Sequence, residues 1–300
     1  MDKIDIEIMN PEAIKDAEQA MIAAAKLTQH GHEISDPSDF CRIYDQEPDP
    51  ELVHRLCSLP HVTLQKFGVI NIFVAGLSRR ALAQITRHQN EVKFMAGSLQ
   101  YSDYSKAQQY VYPPGLSQEA RKLIEAYYTT ASRLYNTLVE TGHPPDVAGY
   151  VMPQGFRTAL FISATPYQWK HMIGQRTCRR NTPEVRYIFM RIWESLCSEA
   201  PEMFSGLGPG CVSGGVCPEG RFYCGREFYD LMNELAEMEY DWLDPVSEGE
   251  IGEDAEIEFS EILKERAERP YDAMGDDWGR GYTGDEAYRR EFVEKYCDQE

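Results

Sequence analysis

One stretch of the chain, residues 78–102, holds side chains that could bind an anionic ligand carrying a polar ring. It presents Arg87 and His88 side by side, and Ser98 follows in a turn of small residues. Arginine offers a fixed fork of donors, serine offers a donor and an acceptor, and Gly97 lets backbone N–H groups approach closely. Because arginine–histidine pairs at helix ends are also common on solvated surfaces, these residues alone leave a surface role open.

A predicted strand and a predicted helix lead into this stretch. Residues 67–75 are rich in β-branched and aromatic side chains, which predicts a core strand. The helix that opens after them is amphipathic, since Ala81 and Ile85 can share one face. We therefore expect the passage from strand to helix to aim Arg87 and His88 at one end of a sheet.

Hydrophobic periodicity elsewhere predicts a mixed chain of helices and short strands. Residues 4–8 alternate isoleucine with acidic side chains, which predicts a strand with one buried face. Helix starts are predicted at Ser117, as an N-cap, and at Thr165-Pro166 and Thr182-Pro183, with proline at the first helical position. Further helices are predicted over residues 11–27, 51–58 and 228–242, and loops over residues 31–50 and 206–225. The helix after Ser117 is predicted to pack through an apolar stripe formed by Ala120, Leu123, Ile124, Tyr127, Ala131, Leu134 and Leu138.

A second group of cations lies between the two Thr-Pro helix starts. The segment QRTCRRN holds Arg176, Arg179 and Arg180. Three arginines together in a chain of net negative charge indicate either a solvated helix end or an anion site. The sequence at this point favours neither.

Charge is unevenly distributed along the chain. The 300 residues carry a net charge of −19, with 42% hydrophobic and 26% charged residues, as in an ordinary globular protein. From Glu234 onward there are 23 acidic and 7 basic residues, so the remaining 233 residues are nearly neutral. A general nucleic-acid binder would show the opposite balance. We predict a body over residues 1–205, a cysteine- and glycine-rich loop with a helix over 206–243, and an acidic extension over 244–300 that the body does not need in order to fold.

The cysteines and the N-terminus predict a cytoplasmic protein. The first ten residues contain acids and no apolar core, and no run approaches the roughly 18 apolar residues of a spanning helix. Eight cysteines without a secretory signal are typical of cytosolic thiols. Cys211, Cys217 and Cys224, completed by Cys178 or Cys197, could bind zinc, but five- and six-residue spacers are not the usual zinc pattern, so free thiols are favoured.

Several motifs in the right order resemble the flavin-dependent thymidylate synthase family. That family carries Arg-His-Arg, seven residues, then serine followed by Arg-Tyr-Ser, and this chain has Arg87-His88-Gln89, eight residues, then residues 98–102, Ser-Leu-Gln-Tyr-Ser. Other positions resemble the family over roughly residues 1–205. They are His61 with Thr63, Ser78-Arg79, Gln84, Val151-Met152-Pro153 with Thr158, Arg176, Glu184-Val185-Arg186, and Ala200-Pro201 with Phe204.

The resemblance implies an α+β fold, a twisted central sheet with flanking helices, assembled as a homotetramer whose sites draw on several subunits. It implies methylation of a uracil nucleotide at C5, dUMP to dTMP, with methylene from a tetrahydrofolate and reduction through FAD and NADPH. The cofactor carries this chemistry while protein groups mainly place the reactants. By position, FAD would be held by His61, Thr63, Arg87, His88, Gln89 and Arg180. The nucleotide would be held by Gln84, Ser98, Gln100 and Arg176, of which Ser98 and Arg176 are the candidate catalytic residues.

The chain departs from the family where cations are expected. Gln89, Gln100 and Gly149 stand where the family has arginine, and exchanging arginine for these residues removes charge-assisted contacts. Arg157, Arg179 or Lys93 could compensate. Two alternatives therefore stay open beside thymidylate synthesis. One is a flavoenzyme for another pyrimidine nucleotide or nucleoside, and the other is a non-catalytic paralogue that partners a true synthase.

Overall fold

A computed structural model describes residues 4–113, 116–226 and 228–236 of the chain. The first half contains β1 (Asp5–Ile8), α1 (Glu12–His30), α2 (Pro37–Tyr44), α3 (Pro50–Ser58), β2 (Ile70–Ser78), α4 (Arg79–Ile85), β3 (Val92–Ala96) and α5 (Gln118–Glu140). The second half contains α6 (Pro145–Ala148), β4 (Arg157–Ala164), α7 (Pro166–Arg176), α8 (Pro183–Glu199), α9 (Pro201–Phe204), α10 (Gly210–Gly214) and α11 (Phe228–Ala236). The predicted acidic extension and the end of the predicted 228–242 helix lie outside the described residues.

The four strands form one antiparallel sheet in the order β1-β2-β4-β3. On its covered face, Ile70, Ile72 and Val74 of β2 are fully buried. The register shifts between Val74 and Leu77, where a bulge interrupts the pairing with β4. The predicted α+β class, with a central sheet and flanking helices, is confirmed.

The predicted strand over residues 67–75 is placed three residues too early. A 3-10 turn, Val62–Lys66, occupies the preceding residues, and Gly68 follows it with a φ of 74°. Phe67 and Val69 are both 44% exposed, so their hydrophobicity does not reflect a core strand. Pairing begins only at Ile70, and it continues to Ser78.

Helices cover one face of the sheet and leave the other face without a covering element among residues 4–113, 116–226 and 228–236. The helix side includes Trp169 and Trp193, both fully buried. On the opposite face, Phe73, Phe161 and Met95 are aligned across β2, β4 and β3. Their exposed fractions are 36%, 39% and 73%. We call these three residues the apolar row.

The predicted helix starts at Ser117 and Thr165 are present, and each hydroxyl accepts a backbone N–H of the first turn. The predicted loop over residues 31–50 is wrong in part, because it contains α2. Asp36 and Asp39 form a reciprocal capping box at the start of this helix, with Pro37 at the first helical position. Local capping therefore outweighs a composition typical of loops.

The packing face of α5 differs in part from the predicted stripe, of which Ala131 is buried. Leu123, Tyr127 and Leu134 are exposed, with Leu123 at 73%. The core side instead uses Tyr128 and Tyr135, which are almost completely buried. The helical spacing of the apolar residues is compatible with either packing face, because α5 carries apolar side chains on more than one side.

The segment after residue 206, predicted as a loop, contains α10 and a 3-10 turn, Gly220–Phe222. It packs on the body, since Cys211 and Val212 belong to the main core together with Leu231, Met232 and Leu235 of α11. Where the body ends therefore stays a prediction. Of the helices that can be described, none has the length and hydropathy needed to cross a membrane.

Candidate functional site

The side chain of Arg176 joins three separate parts of the chain. It is the last residue of α7, where a helix end also favours a cation. Its Nε–H donates to Nε2 of His88 at 2.8 Å, Nη2 donates to the carbonyl oxygen of Gln84 at 2.8 Å, and Nη1 donates to Oδ1 of Asn181 at 3.0 Å. Three of its five N–H groups are thus used to fix its position, and two are left for a ligand.

His88 is buried and neutral. It is 8% exposed, and because arginine can only donate, Nε2 must be the acceptor and the ring proton lies on Nδ1. Burial, together with the charge of Arg176 and the neighbouring ring of His171, lowers the pKa of His88 to about 4. The imidazole therefore orients the guanidinium without adding a second charge.

Arg176 and Arg87 form a pair of like charges. All three acceptors of Arg176 are neutral, and no described residue supplies a carboxylate to it. Burial and the charge of Arg87 together lower the pKa of Arg176. Arg87 is exposed, and within the described ranges it has no hydrogen-bond or ion-pair partner. Two adjacent uncompensated cations are stabilised by an anion, so they fit a phosphate-bearing ligand such as FAD or a nucleotide.

A cleft of about 490 Å³ lies where α4 and α8 begin. Thr182 belongs to its lining, and the Thr182 hydroxyl lies 3.4 Å from Oε1 of Gln84. Two tyrosine rings and one arginine contribute to the walls. The lining residues are Ser78, Arg80, Val111, Tyr112, Pro113, Tyr128, Gln154, Gly155, Thr182, Pro183 and Glu184.

The cleft contains a buried carboxylate that was not among the predicted site residues. Glu184 is 8% exposed; its Oε1 accepts the backbone N–H of Ser78 at 2.7 Å and its Oε2 accepts the Ser78 hydroxyl at 2.6 Å. Burial raises the pKa of Glu184, although the Ser78 hydrogen bonds act against that shift. Because Ser78 also caps α4 through the N–H of Ala81, this carboxylate fixes the start of α4 against the start of α8.

The turn that carries Ser98 is organised from within and by Arg79. Oγ of Ser98 accepts the backbone N–H groups of Gln100 and Tyr101, both at 3.1 Å. Nη2 of Arg79 donates to the carbonyl oxygen of Gly97 at 2.7 Å. The hydroxyl proton of Ser98 is left to donate outward. Among the described residues, neither Ser98 nor Arg79 forms a hydrogen bond with Arg176.

The site residues taken from the family motif differ in their exposure. His61, Thr63, Gln89 and Arg180 are exposed, as is Gln100, whereas Gln84 and Ser98 are partly buried. The turn carrying His61 and Thr63 is tied to the loop after His88 by the ion pair of Lys66 and Glu91 at 2.9 Å. Arg180 pairs with Glu219 at 3.5 Å and lies over the ring of Phe222.

The three side chains named as possible replacements for the lost arginines are placed differently. Arg157 is only 3% exposed, and its Nε donates to the carbonyl oxygen of Tyr110. Arg179 pairs with Glu234 at 3.4 Å. Lys93 is exposed on β3. Arg157 is therefore poorly placed to reach a soluble ligand.

The sequence allows a zinc site in the cysteine-rich segment, although free thiols are favoured. Cys178, Cys211, Cys217 and Cys224 are all free thiols, and burial raises the pKa of Cys211 to about 12. In the part of the chain that the structure describes, no three cysteine, histidine or acidic side chains are grouped so that they could hold a metal ion. A deprotonated ligand is also disfavoured at the buried position.

Known proteins resemble this chain in both sequence and fold. The flavin-dependent thymidylate synthase of Geobacter sulfurreducens is 27% identical over 190 residues, which span 61% of this chain and 80% of that protein. The enzyme of the same name from Sulfolobus acidocaldarius is 23% identical over 205 residues, spanning 66% and 75%.

Among solved structures, the UMP/dUMP methylase PolB from Streptomyces cacaoi, bound with 5-Br dUMP, shares the fold with a TM-score of 0.52 and 14% identity. The match covers 68% of this chain and 94% of that one. A sequence model of the family described as thymidylate synthase complementing protein matches residues 11–202. Because that match covers well over half of the chain, this protein belongs to the family of thymidylate synthase complementing proteins.

Proposed function

We propose that this protein is a flavin-dependent thymidylate synthase, an enzyme that converts dUMP to dTMP. The single observation that carries the proposal is the pair Arg87 and Arg176, two adjacent cations without a carboxylate partner among the described residues. Family membership supports it, as do the names of the curated relatives. In the proposed reaction a methylene group passes from methylenetetrahydrofolate to C5 of the uracil ring, and NADPH supplies the reducing equivalents.

The bound flavin supplies the hydride chemistry, and the residues of this chain bind and orient the reactants. We assign the flavin to His61, Thr63, Arg87, His88, Gln89 and Arg180. Arg87 binds phosphate, while His88 acts through Arg176, because its Nε2 is already occupied. Holding two reactants in a fixed orientation removes much of the entropic cost of a reaction between separate molecules.

We assign the nucleotide to Gln84, Ser98, Gln100 and Arg176. The two remaining N–H groups of Arg176 are suited to a nucleotide oxygen, and the outward hydroxyl proton of Ser98 is suited to a second acceptor. The Gln84 carbonyl oxygen and His88 hold Arg176 in place, so its fork is oriented before the ligand arrives. This preorganisation lowers the entropy lost on binding.

We further propose a cytoplasmic homotetramer whose sites combine residues of several subunits. The apolar row supports an assembly, since Phe73, Phe161 and Met95 expose a contiguous hydrophobic strip across the sheet. A site shared between subunits would also bring Ser98 of one copy to Arg176 of another. Within one chain these two residues are not joined by a hydrogen bond.

The direct test is product analysis by mass spectrometry. Purified protein is incubated with dUMP, methylenetetrahydrofolate, FAD and NADPH, and omission of each component serves as a control. Formation of dTMP that requires all four supports the proposal. A protein that binds FAD and oxidises NADPH yet forms no methylated nucleotide from dUMP would contradict it.

A further inference from the structure

A carboxylate from outside the family-matched residues neutralises a buried arginine inside them. Arg186, in the first turns of α8, is 5% exposed. Its Nη1 donates to Oε1 of Glu234 at 2.5 Å, and its Nε donates to the carbonyl oxygen of Thr177 at 3.2 Å. Removing one partner of such a buried pair leaves an uncompensated charge, which is strongly destabilising. Glu234 lies beyond residue 202, the last residue of the family match.

The same carboxylate also contacts the arginine-rich turn, residues 176–181. Oε2 of Glu234 lies 3.4 Å from Nε of Arg179. Thr177, which accepts from Arg186, is fully buried in the first part of this turn. The turn is thus fixed at two points by one arginine–glutamate pair, while Asn181 closes it internally through Cys178 and Arg176.

Helix α11 holds this carboxylate in place. Leu231, Met232 and Leu235 are each at most 1% exposed and belong to the main core. Glu234 lies between these anchoring residues on the helix, and its side chain is 31% exposed. Because the backbone is anchored on both sides, the position of the carboxylate is set by packing of the helix and not by the ion pair alone.

We propose that Glu234 is a positioning residue for the turn that presents Arg176, Arg179 and Arg180. By holding Arg186 and Arg179 together, it fixes this turn in the shape in which the arginines can meet a phosphate-bearing ligand. The ligand part of this inference rests on the proposed function, whereas the ordering of the turn does not. Helix α11, which lies beyond the family match, therefore helps to position residues of the site.

The Glu234 carboxylate has two expected effects, which are to order the turn and to compensate the buried charge of Arg186. Designed variants can separate them. Glu234→Gln removes the charge but keeps the side-chain length. The double substitution Arg186→Met with Glu234→Met removes both charges and so avoids an uncompensated one. Glu199→Gln is the matched control, because Glu199 is an exposed residue of α8 and the substitution makes the same change in charge.

Hydrogen–deuterium exchange of residues 177–181 is measured on the full-length protein without ligand, together with its melting temperature. We expect Glu234→Gln to lower the melting temperature and to speed exchange of the turn about tenfold, since the local opening becomes less costly. We expect the double variant to recover most of the melting temperature while exchange stays fast, and Glu199→Gln to match the wild type. Wild-type exchange in Glu234→Gln would overturn the proposal, and so would full recovery of slow exchange in the double variant.

Titration with FAD separates this inference from the proposed function. We expect Glu234→Gln to weaken FAD binding about tenfold relative to both wild type and Glu199→Gln. Wild-type FAD affinity in Glu234→Gln, despite a loosened turn, would overturn the positioning role. Failure of every variant, wild type included, to bind FAD would instead contradict the proposed function, while the exchange data would still decide whether Glu234 orders the turn.

Discussion

The Nε–H of Arg176 donates a hydrogen bond to Nε2 of His88 at 2.8 Å, across 88 residues of sequence. This contact explains why a buried histidine stands next to exposed Arg87. The imidazole is held neutral by burial and by the adjacent guanidinium, so it orients Arg176 and leaves the charge of the site to the two arginines. In the Arg-His pair, His88 therefore orients Arg176, and we propose that the exposed Arg87 contacts the ligand.

The first prediction concerns pH. The pKa of His88 is lowered to about 4 in the folded protein, whereas an unfolded chain takes up the proton near pH 6.5. The unfolded state therefore binds more protons below that pH, so this contribution to stability is complete above about pH 6.5 and is lost as the pH falls towards 4. We expect His88→Gln, which keeps an acceptor for Arg176, to remove this pH-dependent contribution to stability.

Denaturant unfolding at pH 8 and pH 5 measures this effect. Between these conditions the wild type should lose about 1 kcal/mol more of its free energy of unfolding than His88→Gln, after allowance for solvent screening. His171 also has a lowered pKa, but it is present in both proteins and cancels. Equal losses in the two proteins would show that His88 is not the responsible group.

The second prediction concerns charge at the flavin site. Arg87→Ala should raise the dissociation constant for FAD about tenfold or more, because a charge-assisted contact is lost. His88→Ala should also lower flavin occupancy, through the loosened Arg176. The matched control is Arg133→Ala, an exposed arginine on α5. If all three variants purify with wild-type flavin content, the motif has been assigned to the wrong residues.

The third prediction concerns Gly149, a position where the resemblance to the family leads us to expect arginine. A Cβ at this position would lie 3.1 Å from Cβ of Leu99 and 3.3 Å from its carbonyl oxygen. The turn carrying Ser98 therefore packs directly on Gly149 and leaves little room for a side chain at this position. We expect Gly149→Ala to raise the dissociation constant for dUMP about threefold, and Gly149→Arg to raise it further. Tighter binding in Gly149→Arg would show that the family geometry is still accessible.

The fourth prediction concerns the phosphate of the substrate. Gln100 and Gly149 carry no charge and Arg157 is buried, so among the residues that we assign to the nucleotide Arg176 is the cation. Calorimetric titration of dUMP, UMP and deoxyuridine at two salt concentrations measures how much of the binding depends on charge. A synthase of dTMP should prefer dUMP over deoxyuridine by more than about 100-fold, and this preference should fall with salt. A smaller preference that does not depend on salt would point to an unphosphorylated substrate.

The fifth prediction concerns the apolar row. Phe161→Asp places a charge in the centre of the exposed strip between Phe73 and Met95. If this face is an interface between copies, the variant should dissociate to a smaller species in analytical ultracentrifugation and lose activity. Leu27→Glu is the control, because Leu27 is an exposed apolar residue on α1. An unchanged sedimentation coefficient for Phe161→Asp would exclude this face from the assembly.

Local signals allowed part of the fold to be predicted. The caps at Ser117 and Thr165 act within one helical turn, so sequence alone identifies them. The same reasoning missed α2, where acids and proline looked like a loop but formed a capping box. It also missed β4, because the strand opens with Arg157 and Thr158, two polar residues that are buried only through tertiary contacts.

At the candidate site, contacts between residues far apart in the sequence limit what the sequence alone can predict. Residue types and the family resemblance both point to the Arg-His pair and to Arg176, but the contact between them spans 88 positions and has no local signature. The sequence identifies Glu184 only as part of a family motif, because its hydrogen bonds to Ser78 cross 106 positions. The sequence does not predict the pairing of Arg186 with Glu234, since nothing in a helix sequence identifies a partner 48 residues away.

The visible absorption spectrum of the purified protein tests the central claim most directly. The account predicts the absorption bands of a bound flavin, close to one FAD per chain after addition of FAD and gel filtration, and release of FAD on denaturation because the cofactor is not covalently attached. A folded protein that stays colourless after incubation with excess FAD would contradict the account, since Arg87 and Arg176 would then be cations without the ligand assigned to them.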